Sequence, residues 1–316
     1  MKKIIDGFTF FNELDLLEIR LAYLYDIVDY FVIVEADTTF SGAKKEYILE
    51  QHLDRFEAYK DKIIYLPVLM PDFAEEAKVA WKREEYQRNC ISEGVKKIAL
   101  DPTDIILIGD LDEIPQKEVL LTLQKDEMSK LNTHTSYGKL LKIFVYTLTS
   151  LFANERKKAK YLTRIKLLKY VMFKGGKLPL IFNMMNCYYY VNYQNIDKGW
   201  TGIISLENDM LQYFSPEEMR ALKNYGVKSV DNAGWHFSYL GGKEKIRFKL
   251  KNFAHQEFNI PDIVNDEYID FCISNGYSLF EYYKGNKKAQ YQKFGLEKFP
   301  ESLQTALEGK NDFVLK

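Results

Sequence analysis

Apolar positions in the first third of the chain switch repeatedly between two spacings. KIIDGFTFF (3–11) reads as a strand, and NELDLLEIRLAYLY (12–25) as a helix with Leu14, Leu17, Leu21 and Leu24 on one stripe. Asn12 suits the N-cap of that helix, with Asp15 three residues on completing a box-like start. DYFVIVEA (29–36) is nearly all apolar, as a strand covered on both faces should be. KIIYLPV (62–68) predicts a third strand. EEAKVAWKREEYQRNCISEGV (75–95) predicts one long helix closed by Gly94, and DIILIGD (104–110) a fourth buried strand. This alternation predicts an α/β fold with a mostly parallel, Rossmann-like sheet flanked by helices.

The second half is less regular. Residues 139–180 hold eleven Lys or Arg against one acid, Glu155, interleaved with apolar runs. That pattern predicts either a helical insertion packing its apolar stripe on the core or a surface for anionic lipid. NMMNCYYYVNYQNIDKGWTGIISLE (183–207) reads as strand-rich, NAGWHFSYLGG (232–242) follows, and a lysine-rich helix comes next. The expected organisation is a catalytic domain over 1–259, carrying the 139–180 insertion, and a helical C-terminal extension over 260–316.

Ligands bind beyond the carboxyl ends of parallel strands. Three predicted strand ends carry polar side chains: Asn12 and Glu13; Glu35 and Asp37; Asp110, Asp112 and Glu113. Acids gathered at a strand end need a cation, which a metal, an arginine or solvent can supply. Asp110 and Asp112 stand two apart, so in extended backbone both can approach one ion. Oxygen ligands of this kind suit Mg²⁺ or Mn²⁺ shared with substrate phosphates. Glu113 could bind, orient a ligand or pair with a base such as Arg83. Arg83, Arg88 and Asn89, on the predicted helix before the acids, could hold a diphosphate. The opposing reading is an ordinary i, i+4 surface pair between Glu84 and Arg88.

Composition sets limits on this reading. The chain has 316 residues, 47% hydrophobic and 15% aromatic, enough for one large domain or one and a half. A net charge of −1 gives no overall field to recruit nucleic acid. Three scattered cysteines share no metal-ligand spacing, so a reduced cytoplasmic chain is expected, peripheral to the inner face of the membrane if 139–180 binds lipid. No signal-peptide pattern and no spanning helix are expected.

The motifs FTFFNELDLLEIRLAYLYDIVDYFVIVEADTTFSG, WKREEYQRN, ILIGDLDEIP, GWTG and NAGWHFSYLGG together resemble glycosyltransferase family 17. The resemblance covers 4–115 and 183–259. It implies a GT-A-type sheet, one metal (Mn²⁺) on the Asp110-Leu111-Asp112 triplet, UDP-N-acetylglucosamine as donor, and inversion at the sugar carbon. The acceptor would be a glycan or a lipid-linked saccharide. His236, within the last motif, is then a third metal ligand or a diphosphate contact. Asn12, Glu13, Glu35 and Asp37 would hold the nucleotide, and Arg88 and Asn89 the diphosphate or sugar. Inversion needs a general base. Asp231, nearest a family motif, leads Glu207 and Glu257 for that role. Rival readings are a metal-dependent phosphoryl or nucleotidyl transferase and a non-catalytic carbohydrate-binding protein on a membrane surface.

Overall fold

The structure is a computed structural model that describes residues 1–74, 78–131, 133–135, 155–175, 177–223 and 228–316. Among them, β1 (Ile4–Phe10), β2 (Tyr30–Ala36), β3 (Ile63–Val68) and β4 (Ile105–Asp110) form a parallel block in the order β3-β2-β1-β4. Each lies at the position its apolar run predicts. The rest of the sheet is mixed. β5 (Glu113–Pro115) and β6 (Thr133–Thr135) are short, and β7 (Leu180–Tyr188) is the long strand of the second half. β8 (Tyr193–Asn195), β9 (Trp200–Glu207), β10 (Lys228–Val230), β11 (Gly234–Ser238) and β12 (Tyr291–Lys293) complete it. β9 runs antiparallel between β4 and β7, and β7 also pairs in parallel with β10 and β11. The mostly parallel sheet expected from the sequence is therefore corrected to a mixed one. β7, β8 and β9 follow one another through connections of four residues each, which favour antiparallel neighbours.

Two charges in the apolar pattern belong to the core. Asp6 of β1 and Arg20 of the Leu14–Leu24 helix are fully buried and paired, Arg20 Nη2 lying 2.7 Å from Asp6 Oδ1. The sheet is covered on this side by that helix and by the C-terminal segment, whose Phe299, Leu303, Leu307 and Phe313 share its core cluster. The tail is thus not only helical: β12 adds a strand against β8.

Three local expectations are corrected. The N-cap of the first helix is Glu13, not Asn12, and no side chain caps it. The predicted long helix is two, Val79–Asn89 and Ile91–Val95, meeting at Cys90. Gly94 lies inside the second of these rather than closing it. A Cβ there would meet Val32 Cγ1 at 2.3 Å, and one at Gly7 would meet Ile91 Cγ2 at 2.5 Å, so both glycines let this helix sit directly on β1 and β2.

Of the basic segment, residues 139–154 and 176 lie outside the described residues. Glu155–Lys174 is a helix that buries Leu167 and Tyr170 on the core, where the Tyr170 hydroxyl donates to Asp209 (2.7 Å). Leu162, Met172 and Phe173 face outward. Among the described residues, no helix is long and apolar enough to cross a membrane.

Candidate active site

The acids at the end of β4 sit on a buried polar scaffold. Arg20, already held by Asp6, donates through Nη1 to the carbonyls of Asp110 (2.9 Å), Leu111 (2.9 Å) and Glu113 (2.6 Å). This fixes the turn from which Asp110 and Asp112 project. Glu113, the third acid, is fully buried. Its Oε2 accepts from the Asp110 amide (3.0 Å) and Arg220 Nη1 (2.8 Å), and its Oε1 from Trp200 Nε1 (2.8 Å). The expected base for Glu113 was Arg83; the structure supplies Arg220, from the Pro216–Leu222 helix. With both oxygens engaged, Glu113 ties the turn together behind the cleft surface.

Asp110 meets arginine. Its Oδ1 is 3.1 Å from Arg88 Nη2 and its Oδ2 is 2.5 Å from Arg220 Nη2. Burial alone would raise its pKa, but the Arg220 and Arg88 guanidiniums outweigh that and hold the carboxyl far below the usual range. Arg88 also pairs with Glu84 and Glu217, so the expected i, i+4 pair exists within a larger buried network. Arg88 Nε is buried without a hydrogen-bond partner. A buried guanidinium with a spare donor beside a cleft suits an anion.

Asp112 has different company. Lys249 Nζ is 2.9 Å from its Oδ2, and His236 Nε2 is 3.7 Å from its Oδ1. His236 is held on two sides. Its ring stacks on Trp200 with centroids 3.9 Å apart and planes 7° apart, and its Nδ1 lies 3.0 Å from Asn186 Oδ1. In the tautomer that carries its proton on Nδ1, this contact is a hydrogen bond to Asn186 and the Nε2 lone pair faces Asp112. Burial pushes the imidazole pKa down, against the pull of Asp112 and Glu113. A divalent ion with bonds of about 2.1 Å can touch two atoms up to about 4.2 Å apart. The Asp112 and His236 pair therefore fits one. Among the described residues, no cluster of three or more His, Cys, Asp or Glu converges on a point. The remaining ligands would have to come from water or substrate.

These groups floor a cleft of about 1440 Å³ at the carboxyl ends of β1, β2 and β4. Of the residues expected from the sequence, Glu13, Arg88, Asp110, Asp112, His236 and Glu257 line it. The others lie outside its lining. Asn12 is exposed in the turn after β1. Glu35 is buried, accepting from the amides of Ile48 (2.6 Å) and Leu49 (3.0 Å), and so anchors the loop after β2. Asp37 accepts from the Met70 amide (2.8 Å) and Lys44 (2.8 Å). Arg83 donates to the Phe40 carbonyl (3.1 Å), and Asn89 accepts from the Glu217 amide (3.0 Å), joining two helices.

Two of the three general-base candidates lie outside the cleft lining. Glu207 pairs in register with Ile105 at the far end of β4 and binds Lys2 (3.1 Å). Five residues of extended strand, about 16 Å, separate that level from Asp110. Asp231 accepts from Asn183 Nδ2 (2.7 Å). Glu257 alone of the three faces the cleft, 2.7 Å from His255 Nδ1.

Sequence reasoning missed Arg20, Arg220 and Lys249. An arginine inside a leucine stripe and an aspartate inside an apolar strand were signals for the first, because each demands a buried partner. Arg220 and Lys249 sit on helices far along the chain, and no local pattern ties them to β4.

The family model for glycosyltransferase family 17 matches residues 1–163, half of the chain. The chain belongs to glycosyltransferase family 17. It is thereby placed among the glycosyltransferase enzymes. Similar curated proteins include the beta-1,4-mannosyl-glycoprotein 4-beta-N-acetylglucosaminyltransferases of Rattus norvegicus and Homo sapiens. Each is 30% identical over 128 residues, covering 39% of this chain and 23% and 24% of those proteins. The match thus spans less than a quarter of the length of either relative. Asp110, Asp112 and Arg88 fall within the segment the family model covers; His236, Arg220 and Lys249 do not.

Proposed function

We propose that this family 17 enzyme transfers N-acetylglucosamine from UDP-N-acetylglucosamine to a saccharide acceptor, with inversion, using one divalent ion in a GT-A-type site. The observation that carries the reading is the convergence of Asp112 and His236, the latter held by Trp200 and Asn186, beside the arginine pair of Arg88 and Arg220 at the mouth of the parallel strands. Asp112 and His236 would hold Mn²⁺ or Mg²⁺. When bound, the ion neutralises charge developing on the departing diphosphate.

The chain's own residues take the other tasks. Arg88 and Arg220, both in the cleft lining, would face the diphosphate, and Asp110 aligns both guanidiniums for it. Lys223, whose ammonium lies 5.4 Å over the Trp200 ring, adds positive charge to the same wall. Glu257, which lines the cleft 2.7 Å from His255 Nδ1, takes the acceptor hydroxyl proton. The names of the relatives carry a mannosyl-glycoprotein acceptor, so a β-mannoside is the first acceptor to test.

The experiment is UDP release from UDP-N-acetylglucosamine with methyl β-mannoside, with Mn²⁺ and then with EDTA. Release that requires Mn²⁺ and is lost in Asp112→Asn and His236→Ala supports the reading. Release unaffected by EDTA, or phosphate release without sugar transfer, rejects it.

A further inference from the structure

The two aspartates of the strand end are paired in ways that differ in mobility. Asp110 is gripped by two guanidiniums, each anchored elsewhere: Arg88 on Glu84 and Glu217, Arg220 on Glu113 and the Gly202 carbonyl (2.8 Å). Asp112 is neutralised by a single ammonium at the end of a flexible four-carbon stem. Lys249 stands on the Gly242–Asn252 helix, and its side chain stays 28% exposed to the cleft. Its ammonium also lies 5.2 Å over the Tyr239 ring, so apart from Asp112 its nearest support is a ring face rather than a second anchoring carboxylate.

The ammonium and the imidazole flank one carboxylate. Lys249 Nζ is on Oδ2 at 2.9 Å while His236 Nε2 looks at Oδ1 from 3.7 Å. An ion held by Asp112 and His236 would sit within a few ångströms of that ammonium, and the two positive charges would repel strongly in a half-buried site. The lysine has somewhere to go. Glu13 lines the same cleft, and its negative charge already acts on Lys249. A bound diphosphate would offer more negative charge still.

We propose that Lys249 is a positioning residue that occupies Asp112 in the empty enzyme, yields it to the divalent ion, and then pairs with the donor diphosphate. This rests on the ion site put forward above. Lys249 thereby couples the two ligands: it weakens ion binding when no diphosphate is present, and the penalty disappears when a diphosphate accepts the displaced ammonium. Coupling of this kind is reciprocal, so the ion strengthens nucleotide binding by the same factor.

The test is a Mn²⁺ titration followed by electron paramagnetic resonance, on the full chain with and without UDP, which reads binding without turnover. Lys249→Met should bind Mn²⁺ on the order of tenfold more tightly than the parent without UDP, and UDP should improve Mn²⁺ affinity less in the variant than in the parent. Equal or weaker Mn²⁺ binding by Lys249→Met, or an unchanged effect of UDP, overturns the inference. If that variant fails a thermal-melt check of folding, Lys249→Gln carries the same test. Asp112→Asn separates the two levels of the argument. Loss of Mn²⁺ in Asp112→Asn with no change in the lysine variant leaves the proposed function standing and rejects only the role of Lys249. No Mn²⁺ binding by the parent even with UDP rejects both.

Discussion

Arg20 and Asp6 form a two-bond ion pair in which neither side chain reaches solvent, with Nε–Oδ2 2.8 Å and Nη2–Oδ1 2.7 Å. The remaining guanidinium nitrogen holds three backbone carbonyls of the acidic turn, so one residue serves both the core and the site. Removing one partner of a buried pair strands the other charge and costs about 3–5 kcal/mol. Arg20→Met should therefore lower stability by about that amount in urea unfolding. Asp6→Asn should cost less than Arg20→Met, because the carbonyl contacts survive. Arg20→Lys should recover little, since an ammonium lacks the fork that reaches carboxylate and carbonyls together. Equal stability of Arg20→Met and the parent would show that the pair is not what holds the turn.

Asp110 and Asp112 look equivalent in the sequence and are not equivalent in space. Asp112→Asn should abolish Mn²⁺ binding in the resonance titration. Asp110→Asn should retain Mn²⁺ binding and instead raise the donor KM, because its guanidinium partners lose their alignment. A drop of about 10-fold or more in kcat/KM is expected, the usual scale for losing a charge-assisted contact of about 1.5–3 kcal/mol. Loss of Mn²⁺ from Asp110→Asn as well would put both carboxylates on the ion, as their spacing in the sequence suggests.

The contrast marks how far the chain could be read without its structure. β2 and β4 were legible because a strand buried on both faces must be largely apolar, and 29–36 and 104–110 leave little alternative; β1 and the half-buried β3 were legible from their apolar runs and their places in the alternation. The acidic strand end and His236 were legible as candidates, the first from its position and the second from the family motif. The division of labour among the acids was not. Glu113 is set apart from its neighbours only by Arg220 and Trp200, which arrive from 107 and 87 residues away. The mixed half of the sheet was hidden for a related reason. β7 alternates partners along its length, taking β9 and β10 at one end and β11 and β8 at the other, and pairing of that kind leaves no periodic trace. Glu35 misled because a strand-end carboxylate that anchors a loop has the same local sequence as one that binds a ligand.

Glu257 is the general base in this reading, and the test must separate it from Asp231. Glu257→Gln should lower kcat by about 10²–10⁴ while leaving UDP and Mn²⁺ binding intact, the range for losing a positioned base. Asp231→Asn, whose carboxylate is already engaged by Asn183 outside the cleft lining, should change kcat by less than about threefold. The reverse result would restore the sequence-based order of candidates and place the acceptor outside this cleft lining.

The C-terminal segment is fastened to the first helix by charge, and this gives a pH signature away from the cleft. Asp15 lies 2.6 Å from Arg55 and 3.2 Å from Lys310, and Glu18 lies 2.6 Å and 2.7 Å from the same two cations. Partial burial would raise the Asp15 pKa, but hydrogen bonds from Arg55 and Lys310 outweigh it and bring it to about 2; Glu18 is lowered in the same way. A carboxylate with a depressed folded-state pKa contributes stability that is fully present above its unfolded pKa, near 4, and lost as pH falls through about 2. The group is a third exposed, so screening limits each pair to about 0.2–1 kcal/mol. Lys310→Ala should thus unfold at lower urea than the parent at pH 6. The gap should narrow steadily below pH 4 and shrink in 0.5 M salt, where screening is strong. A gap independent of both pH and salt would mean that Lys310 acts through the packing of its methylene chain rather than through Asp15 and Glu18.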